Sequence, residues 1–235
     1  MEQYKEANLN VLNFHLNLDF RFVENYYELD ALGDYLNVLE DQLSLIITKE
    51  QERIKADILK NKKKLDEVEL SLMHQELNNL IYELLPRFFR SPFLVTLYAI
   101  AESAIIEVAD YLQNQKNKSL SIKDIRGDNF IDQTKKYFDH VLEFKLFSDA
   151  SIIDRLEMLR ILRNAVAHGN GRFERIKNKD DVKKIKQWKK DNIGISLLGD
   201  SIIFSNVFLS ETYKIINIGI HDLLDRAKSA FPKKP

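Results

Sequence analysis

Arg163-Asn164-Ala165-Val166-Ala167-His168-Gly169 is the most informative stretch of this chain. It ends a segment, from about Ala150 to Ala167, in which apolar residues recur at helical spacing. Ser148 or Asp149 is a suitable N-cap for this helix, and Gly169 follows where a C′ glycine is expected. The sequence therefore predicts an amphipathic helix that carries a guanidinium, a carboxamide and an imidazole in its final turns.

Further helices are predicted over most of the chain, because apolar residues recur at helical spacing with few glycines or prolines among them. Pro86 and Pro92 predict a break between two of these helices, with Ser91 as N-cap and Pro92 as the first helical residue. The segment after Pro92 is apolar on nearly all sides, which is typical of a core helix. The other predicted helical segments are Ala31–Leu85, Pro92–Gln113, Phe130–Lys145 and Ser210–Ala230.

The first of these segments has two interpretations. Between Lys49 and Glu69 it is heavily charged and its apolar stripe is thinner. This pattern fits either one long projecting helix or two helices with a short unmarked break. Both alternatives stay open, and both give the chain a long N-terminal helical extension.

Two regions predict β-structure. Leu12–Phe22 alternates apolar and polar residues, which is the period of a half-buried strand. Ile193–Leu198 and Ser201–Phe204 flank Gly199-Asp200, a pair that favours a type II′ hairpin because the glycine comes first. We expect a small sheet that joins these N- and C-terminal regions.

Composition places the chain among ordinary globular proteins. Its 235 residues are 45% hydrophobic, and it has 7 glycines, 4 prolines and no cysteine. Long helices are therefore favoured, and disulfides and thiolate metal sites are excluded. We expect a soluble, cytoplasmic protein without a membrane partner, because no signal peptide is visible and no uninterrupted apolar run approaches the roughly 18 residues of a membrane span.

The spacing of Arg163 and His168 has a geometric consequence. Residues five apart lie about 140° apart around a regular helix, whereas Asn164 and His168, four apart, share a face. One chain therefore does not direct the guanidinium and the imidazole toward one ligand. Either the final turn unwinds at Gly169, or a second copy of the helix supplies the missing group.

The string Leu159-Arg160-Ile161-Leu162-Arg163-Asn164-Ala165-Val166-Ala167-His168-Gly169 resembles the Arg-polar-x-x-x-His signature of the HEPN family. The resemblance covers roughly residues 90–225. It implies a mostly α fold, an antiparallel helical bundle with a long N-terminal helix and a small β-hairpin. On this reading residues 1–85 form an N-terminal strand and helical extension, and residues 86–235 form a HEPN-like domain with the hairpin and the last helix.

The resemblance also implies an activity. Many members are metal-independent endoribonucleases of prokaryotic defence and toxin systems, in which two motifs face each other in a homodimer. Arg163 would then bind phosphate, His168 would move protons and Asn164 would orient them. Glu102 is at a position where related proteins often have an acid near the active arginine, although it also suits a buried partner for an arginine. Toxins paired with nucleotidyltransferase antitoxins often have a tyrosine at the position of Asn170, so modification there is not expected.

A basic region follows the motif. From Arg172 to Lys190 there are nine Lys or Arg residues against three acidic ones. It is either a solvated surface or a rim that attracts RNA phosphates. On the second interpretation the RNA-binding residues are Arg172, Asn170, Lys183 and Lys184.

Three functions remain open. The first is an endoribonuclease with RNA as substrate and an antitoxin or sensor protein as a further partner. The second is a non-catalytic HEPN module that binds RNA, a nucleotide or a protein, and the third is a structural dimer. The histidines show no paired metal-ligand spacing and the glycines form no phosphate loop, so we expect neither a metal nor a cofactor.

Overall fold

Long helices make up most of the structure, a computed structural model that describes residues 19–61 and 66–232. The predicted mostly α fold with a small antiparallel sheet is confirmed. The helices are α1 (Val23–Asn61), α2 (Glu67–Asn79), α3 (Leu85–Gln115), α4 (Phe130–Tyr137), α5 (Ala150–Gly169), α6 (Lys179–Lys190) and α7 (Asn206–Ala230), and the strands are β1 (Ile195–Leu198) and β2 (Ser201–Phe204).

The four long helices α1, α3, α5 and α7 run in alternating directions. The start of α1 lies beside the end of α3, where Asn25 donates a hydrogen bond to Glu107. Near the start of α3, Arg90 donates to Glu40 through Nε and one Nη, each at 2.7 Å. Similarly, α5 begins near the later turns of α7, since Ser148 donates to Asp222 over 3.0 Å. Arg172, three residues beyond Gly169, and Arg87, near the start of α3, both donate to Ser201, so the end of α5 lies at the same end of the bundle as the start of α3.

Helix α3 lies at the centre, in contact with α1, α5 and α7. Its fully buried residues explain why nearly every face of this segment is apolar. The helical stretch that contains it, Glu67–Gln115, includes an 18-residue window that is long and apolar enough to cross a membrane by length and composition alone. Half of that window is buried within the fold. The largest fully buried side chains of α3 are Phe93, Leu94, Leu97, Ile105 and Leu112.

The predicted helix break between Pro86 and Pro92 is wrong. The helix runs through both prolines, and Pro92 is an internal residue of α3. The turn before Pro86 is a π-helix, Leu80–Leu84, in which the Leu85 N–H bonds to the Leu80 carbonyl. This wider turn relaxes the backbone just where a proline cannot donate a hydrogen bond.

The long N-terminal helical segment consists of two helices in the described part of the chain. Helix α1 ends at Asn61, and α2 begins after a capping box formed by Asp66 and Glu69. The predicted boundary between residues 85 and 86 falls inside continuous helix, so α2 and α3 are joined by helical backbone.

The hairpin forms as predicted, with Ile195 opposite Phe204 and Leu198 opposite Ser201. Gly199 has a φ of +57° and Asp200 has none in the positive range, the combination of a type II′ turn. Residues 12–18 of the predicted N-terminal strand lie outside the described residues. Its described end is not a strand: Asp19–Phe22 leads by a turn into α1, and Arg21 donates to the Phe231 carbonyl at 2.6 Å.

That contact places Arg21 at the opposite end of α3 from the hairpin. Arg21 also bonds to Tyr111, whereas Arg90 donates to the Phe204 carbonyl over 2.9 Å. Tyr111 and Arg90 are roughly 30 Å apart along α3 at 1.5 Å per residue. The predicted sheet between the two regions therefore does not form among the described residues, where the hairpin is a two-stranded sheet.

Two predicted helix ends also need correction. The segment from Phe130 stops at Leu142 rather than Lys145, because Glu143 takes a left-handed φ of 48°. Gly169 is the last residue of α5, and Asn170 takes the left-handed position instead, with φ 53° and ψ 39°. Asparagine tolerates this conformation better than other non-glycine residues.

Candidate active site

The end of α5 presents the candidate residues Arg163, Asn164 and His168. Asp149 caps the start of this helix by accepting from the Ser151 N–H, as predicted. At its end the N–H of Asn170 and the N–H of Gly171 both bond to the Ala165 carbonyl. These bonds close the helix tightly, so its final turn does not unwind to bring Arg163 and His168 together.

Arg163 faces the core helix α3. Its guanidinium carbon lies 5.6 Å from the ring centre of Tyr98, which places the cation over an aromatic face. One Nη donates to Asn164 Oδ1 at 3.0 Å, and the buried Nε has no hydrogen-bond partner. Burial, followed by the charge of Glu102, raises the pKa of Tyr98 to about 12. Tyr98 therefore stays neutral beside the arginine at physiological pH.

Glu102 lies one helical turn beyond Tyr98 on α3, close enough to Arg163 to interact with its charge. Burial raises the pKa of Glu102 above its ordinary value, and the charge of Arg163 partly opposes this effect. The salt bridges of the described residues, all within 4.0 Å, do not join this pair. The acid is therefore a nearby charge for Arg163 rather than its hydrogen-bonded partner.

His168 lies on a different side of α5, exposed at the edge of a cleft of about 430 Å³. Asn164 and His168 line this cleft together, as the four-residue spacing predicts. Arg163 is not among its lining residues in the described part of the chain. The other residues that line it are Ile161, Ala165, Gly169, Arg175, Ile176, Lys177, Asn178 and Asp181.

Arg175 and Lys177 bring two positive charges into the cleft beside His168. Arg175 packs closely on the end of α5, since a Cβ built on Gly169 would lie in contact with the Arg175 Cβ at 3.4 Å. The charge count of residues 172–190 predicted a basic region, but neither of these two residues was singled out. Their place depends on the short 3-10 turn Phe173–Arg175, which the sequence does not mark.

Helix α6 forms the far wall of the cleft and is held to α5 by ion pairs. Arg160 binds Glu157 through two hydrogen bonds of 2.8 Å and lies 4.0 Å from Asp181. Lys184 also contacts Glu157, at 3.4 Å. Burial acts to raise the pKa of Glu157, but the hydrogen bond and charge of Arg160, with Lys184, bring it below the ordinary value. This carboxylate therefore stays ionised and holds the wall in place.

The four residues predicted to bind RNA occupy different surroundings. Lys183 is an exposed surface residue that forms an ion pair with Asp180. Lys184 forms an ion pair with Glu157, and Asn170 is exposed at the end of α5. Arg172 donates to Ser201 Oγ at 3.0 Å and lies 3.5 Å from Glu83. Arg172 is thus tied to the hairpin and the π-turn.

No group of three or more His, Cys, Asp or Glu side chains suited to a metal ion occurs among residues 19–61 and 66–232. The functional groups that the structure gathers at the end of α5 are an imidazole, two amides, several cations and the carboxylate of Asp181. Such groups bind anions and move protons.

Comparisons of the chain with protein-family models, with curated proteins and with solved structures found no match.

Proposed function

We propose that this chain is a metal-independent endoribonuclease whose active site is completed by a second copy of itself. The observation that carries the proposal is the position of His168. It is exposed at the edge of a cleft with Asn164, Arg175 and Lys177, and Arg163 is held against Tyr98 on a different side of the same helix. The resemblance of this motif to HEPN ribonucleases supports the same chemistry.

The reaction needs no metal. A ribose 2′-oxygen attacks the adjacent phosphorus, the new O2′–P bond forms, and the bond from phosphorus to the 5′-oxygen of the next nucleotide breaks. A base removes the proton of the 2′-hydroxyl and an acid gives one to the leaving 5′-oxygen. The products are a 2′,3′-cyclic phosphate and a 5′-hydroxyl.

The side chains at the end of α5 suit these steps. An imidazole exchanges protons near neutral pH, so His168 is the acid or base, and two copies of it divide the two transfers. A guanidinium donates paired hydrogen bonds to phosphate oxygens, so Arg163 stabilises the charged transition state. Asn164 already accepts from Arg163 over 3.0 Å and orients it.

A second copy is needed because one chain separates the two groups. Arg163 lies against Tyr98 on α3, whereas His168 lines the cleft against α6. A homodimer with a two-fold axis near the end of α5 would bring both motifs to one phosphate. The cleft then extends the site, and Arg175 and Lys177 contact neighbouring backbone phosphates.

The biological setting follows from the resemblance alone. We propose a role in antiphage defence or in toxin-antitoxin growth arrest, with an antitoxin or sensor protein as a further partner. The alternative is a non-catalytic module that binds RNA, a nucleotide or a protein through the same surface. The separation of Arg163 from His168 within one chain favours this alternative if the chain does not dimerise.

The test is RNA cleavage in EDTA by the wild type, Arg163→Ala and His168→Ala. His140→Ala is the matched control, because His140 is an exposed helical histidine on another part of the surface. We expect the wild type to cleave RNA in EDTA and to leave cyclic-phosphate ends. The cleavage rate should fall by at least about 100-fold in both motif variants and should not change in His140→Ala. Absence of cleavage across varied RNAs, with RNA binding retained, would favour the non-catalytic module.

A further inference from the structure

We propose that Ser201 is a positioning residue for His168, acting through the turn that follows the motif. The inference rests on the proposed ribonuclease function, in which His168 must be held in one place. Ser201 lies on β2, more than thirty residues beyond the histidine in the chain. Its connection to the motif is made by side-chain and backbone hydrogen bonds.

The Ser201 hydroxyl is the centre of a group that we name the Ser201 cluster, composed of Glu83, Arg87, Arg172 and Ser201. Its oxygen accepts from Arg87 at 2.7 Å and from Arg172 at 3.0 Å, and it donates to Glu83 at 2.6 Å. The serine is completely buried. One hydroxyl group thus uses its donor and both of its lone pairs.

The charges of the Ser201 cluster make that hydroxyl hard to replace. Two arginines share one carboxylate, and the distances from Glu83 to the guanidiniums of Arg87 and Arg172 are 3.4 and 3.5 Å. Arg87 is only 5% exposed and its Nε has no partner. Without the hydroxyl, the buried Arg87 Nη would keep only its long hydrogen bond of 3.4 Å to Glu83, and a buried charged donor that is poorly paired is costly.

The same part of the hairpin holds the turn after the motif. The N–H of Ile202 bonds to the Gly171 carbonyl at 2.9 Å, and the N–H of Phe173 bonds to the Asp200 carbonyl at 2.7 Å. The Glu174 N–H adds a bond of 2.7 Å to the Asp200 carboxylate. Arg172 is therefore clamped on both sides by backbone bonds and in the middle by its own bond to Ser201.

The turn itself is short and conformationally demanding. Asn170 and Gly171 both have positive φ, 53° and 67°. Only three residues separate His168 from Arg172, so a shift of Arg172 moves the end of α5. Catalytic groups must be held within a fraction of an ångström, and a displacement of about 1 Å can cost roughly 100-fold in rate.

The test compares Ser201→Ala with Ser205→Ala in the full chain. Ser205 follows the same hairpin but caps α7, where its hydroxyl accepts from the Phe208 N–H at 3.1 Å. Both variants lose one hydroxyl and some thermal stability. We expect Ser201→Ala alone to lower kcat about tenfold with little change in KM, to speed amide exchange at Gly171–Phe173, and to shift the NMR signal of the His168 ring.

A milder variant covers the case in which Ser201→Ala does not fold. Arg172→Gln removes one hydrogen bond of the Ser201 cluster from a side chain that is 35% exposed. We expect smaller changes of the same kind in kcat, in amide exchange and in the His168 signal. The ring signal separates the two proposals. Suppose that the wild type does not cleave RNA but the His168 signal moves only in the variants of the Ser201 cluster. The proposed ribonuclease function is then wrong, and the proposal that Ser201 positions His168 is supported. If Ser205→Ala changes the His168 signal and kcat as much as Ser201→Ala does, the proposal that Ser201 positions His168 is wrong.

Discussion

Arg163 and His168 are five residues apart in α5 and face different parts of the protein. The guanidinium of Arg163 lies over Tyr98 of the core helix, and the imidazole of His168 is exposed at the edge of the cleft against α6. The angle between these directions follows from helix geometry, and the closed final turn does not change it. Either a second chain completes a site that the two residues share, or each residue binds a different ligand.

The left-handed conformation of Asn170 leads to a stability prediction. Alanine takes that conformation at a higher cost than asparagine, whereas glycine takes it freely. We expect Asn170→Ala to lower the free energy of unfolding by about 1 kcal/mol and Asn170→Gly to leave it nearly unchanged. Denaturant unfolding measures both.

The glycine variant also tests a binding role for the Asn170 side chain, because it keeps the backbone and removes the carboxamide. RNA affinity that falls in Asn170→Gly shows that the side chain contacts RNA. Equal stability of the alanine variant and the wild type would contradict the structural role of the residue.

The cleft predicts which cations bind RNA. Arg175 and Lys177 line it, whereas Lys183 is an exposed residue outside it, paired with Asp180. We expect Arg175→Ala and Lys177→Ala each to weaken RNA binding about fourfold at 0.15 M salt and to reduce the salt slope by about 0.7, as for one phosphate contact with a single strand. Lys183→Ala is the matched control. If it weakens binding as much as the other two, RNA follows the outer surface of α6 instead.

Glu102 predicts a pH dependence of stability. Burial raises the pKa of this carboxyl in the folded chain, with Arg163 opposing. A carboxyl with a raised folded pKa destabilises the fold once it ionises, so stability is full below the ordinary value of 4.5 and declines as pH rises through the folded pKa. Glu102→Gln removes that decline. We expect the free energy of unfolding of this variant, minus that of the wild type, to be larger at about pH 7 than at about pH 4.

Unfolding in denaturant at the two pH values measures this difference. A variant that loses stability at neutral pH, compared with acid, would show instead that ionised Glu102 stabilises Arg163. Cleavage by the same variant then reports whether the acid supports the active arginine.

The parts of the fold that the sequence predicted depend on local rules. Gly199 at the first turn position predicted the hairpin because only a positive φ suits that turn. The apolar residues on nearly every side of the segment from Phe93 predicted the core helix, since an all-apolar helix must be buried on all sides. Asp149 was a predictable cap for the same kind of local reason.

The errors arise where tertiary contacts override local rules. Pro86 and Pro92 remain inside a helix because a π-turn accommodates the first, and because Arg87 and Arg90 anchor the first turns of α3 to Ser201 and Glu40. Neither contact is visible in the sequence. The cleft residues Arg175 and Lys177 were missed for a related reason, since only the folded path of the chain decides which of nine cations faces His168.

The most direct test of the shared active site is to fold wild-type chains together with a ninefold excess of the double variant Arg163→Ala/His168→Ala. With saturating RNA, cleavage per wild-type chain should fall to roughly one tenth, because only about a tenth of wild-type chains then pair with another wild-type chain. The control mixes the same proteins after folding, and its activity should not fall. Unchanged activity in the co-folded sample would contradict the account, since each chain would then contain a complete site.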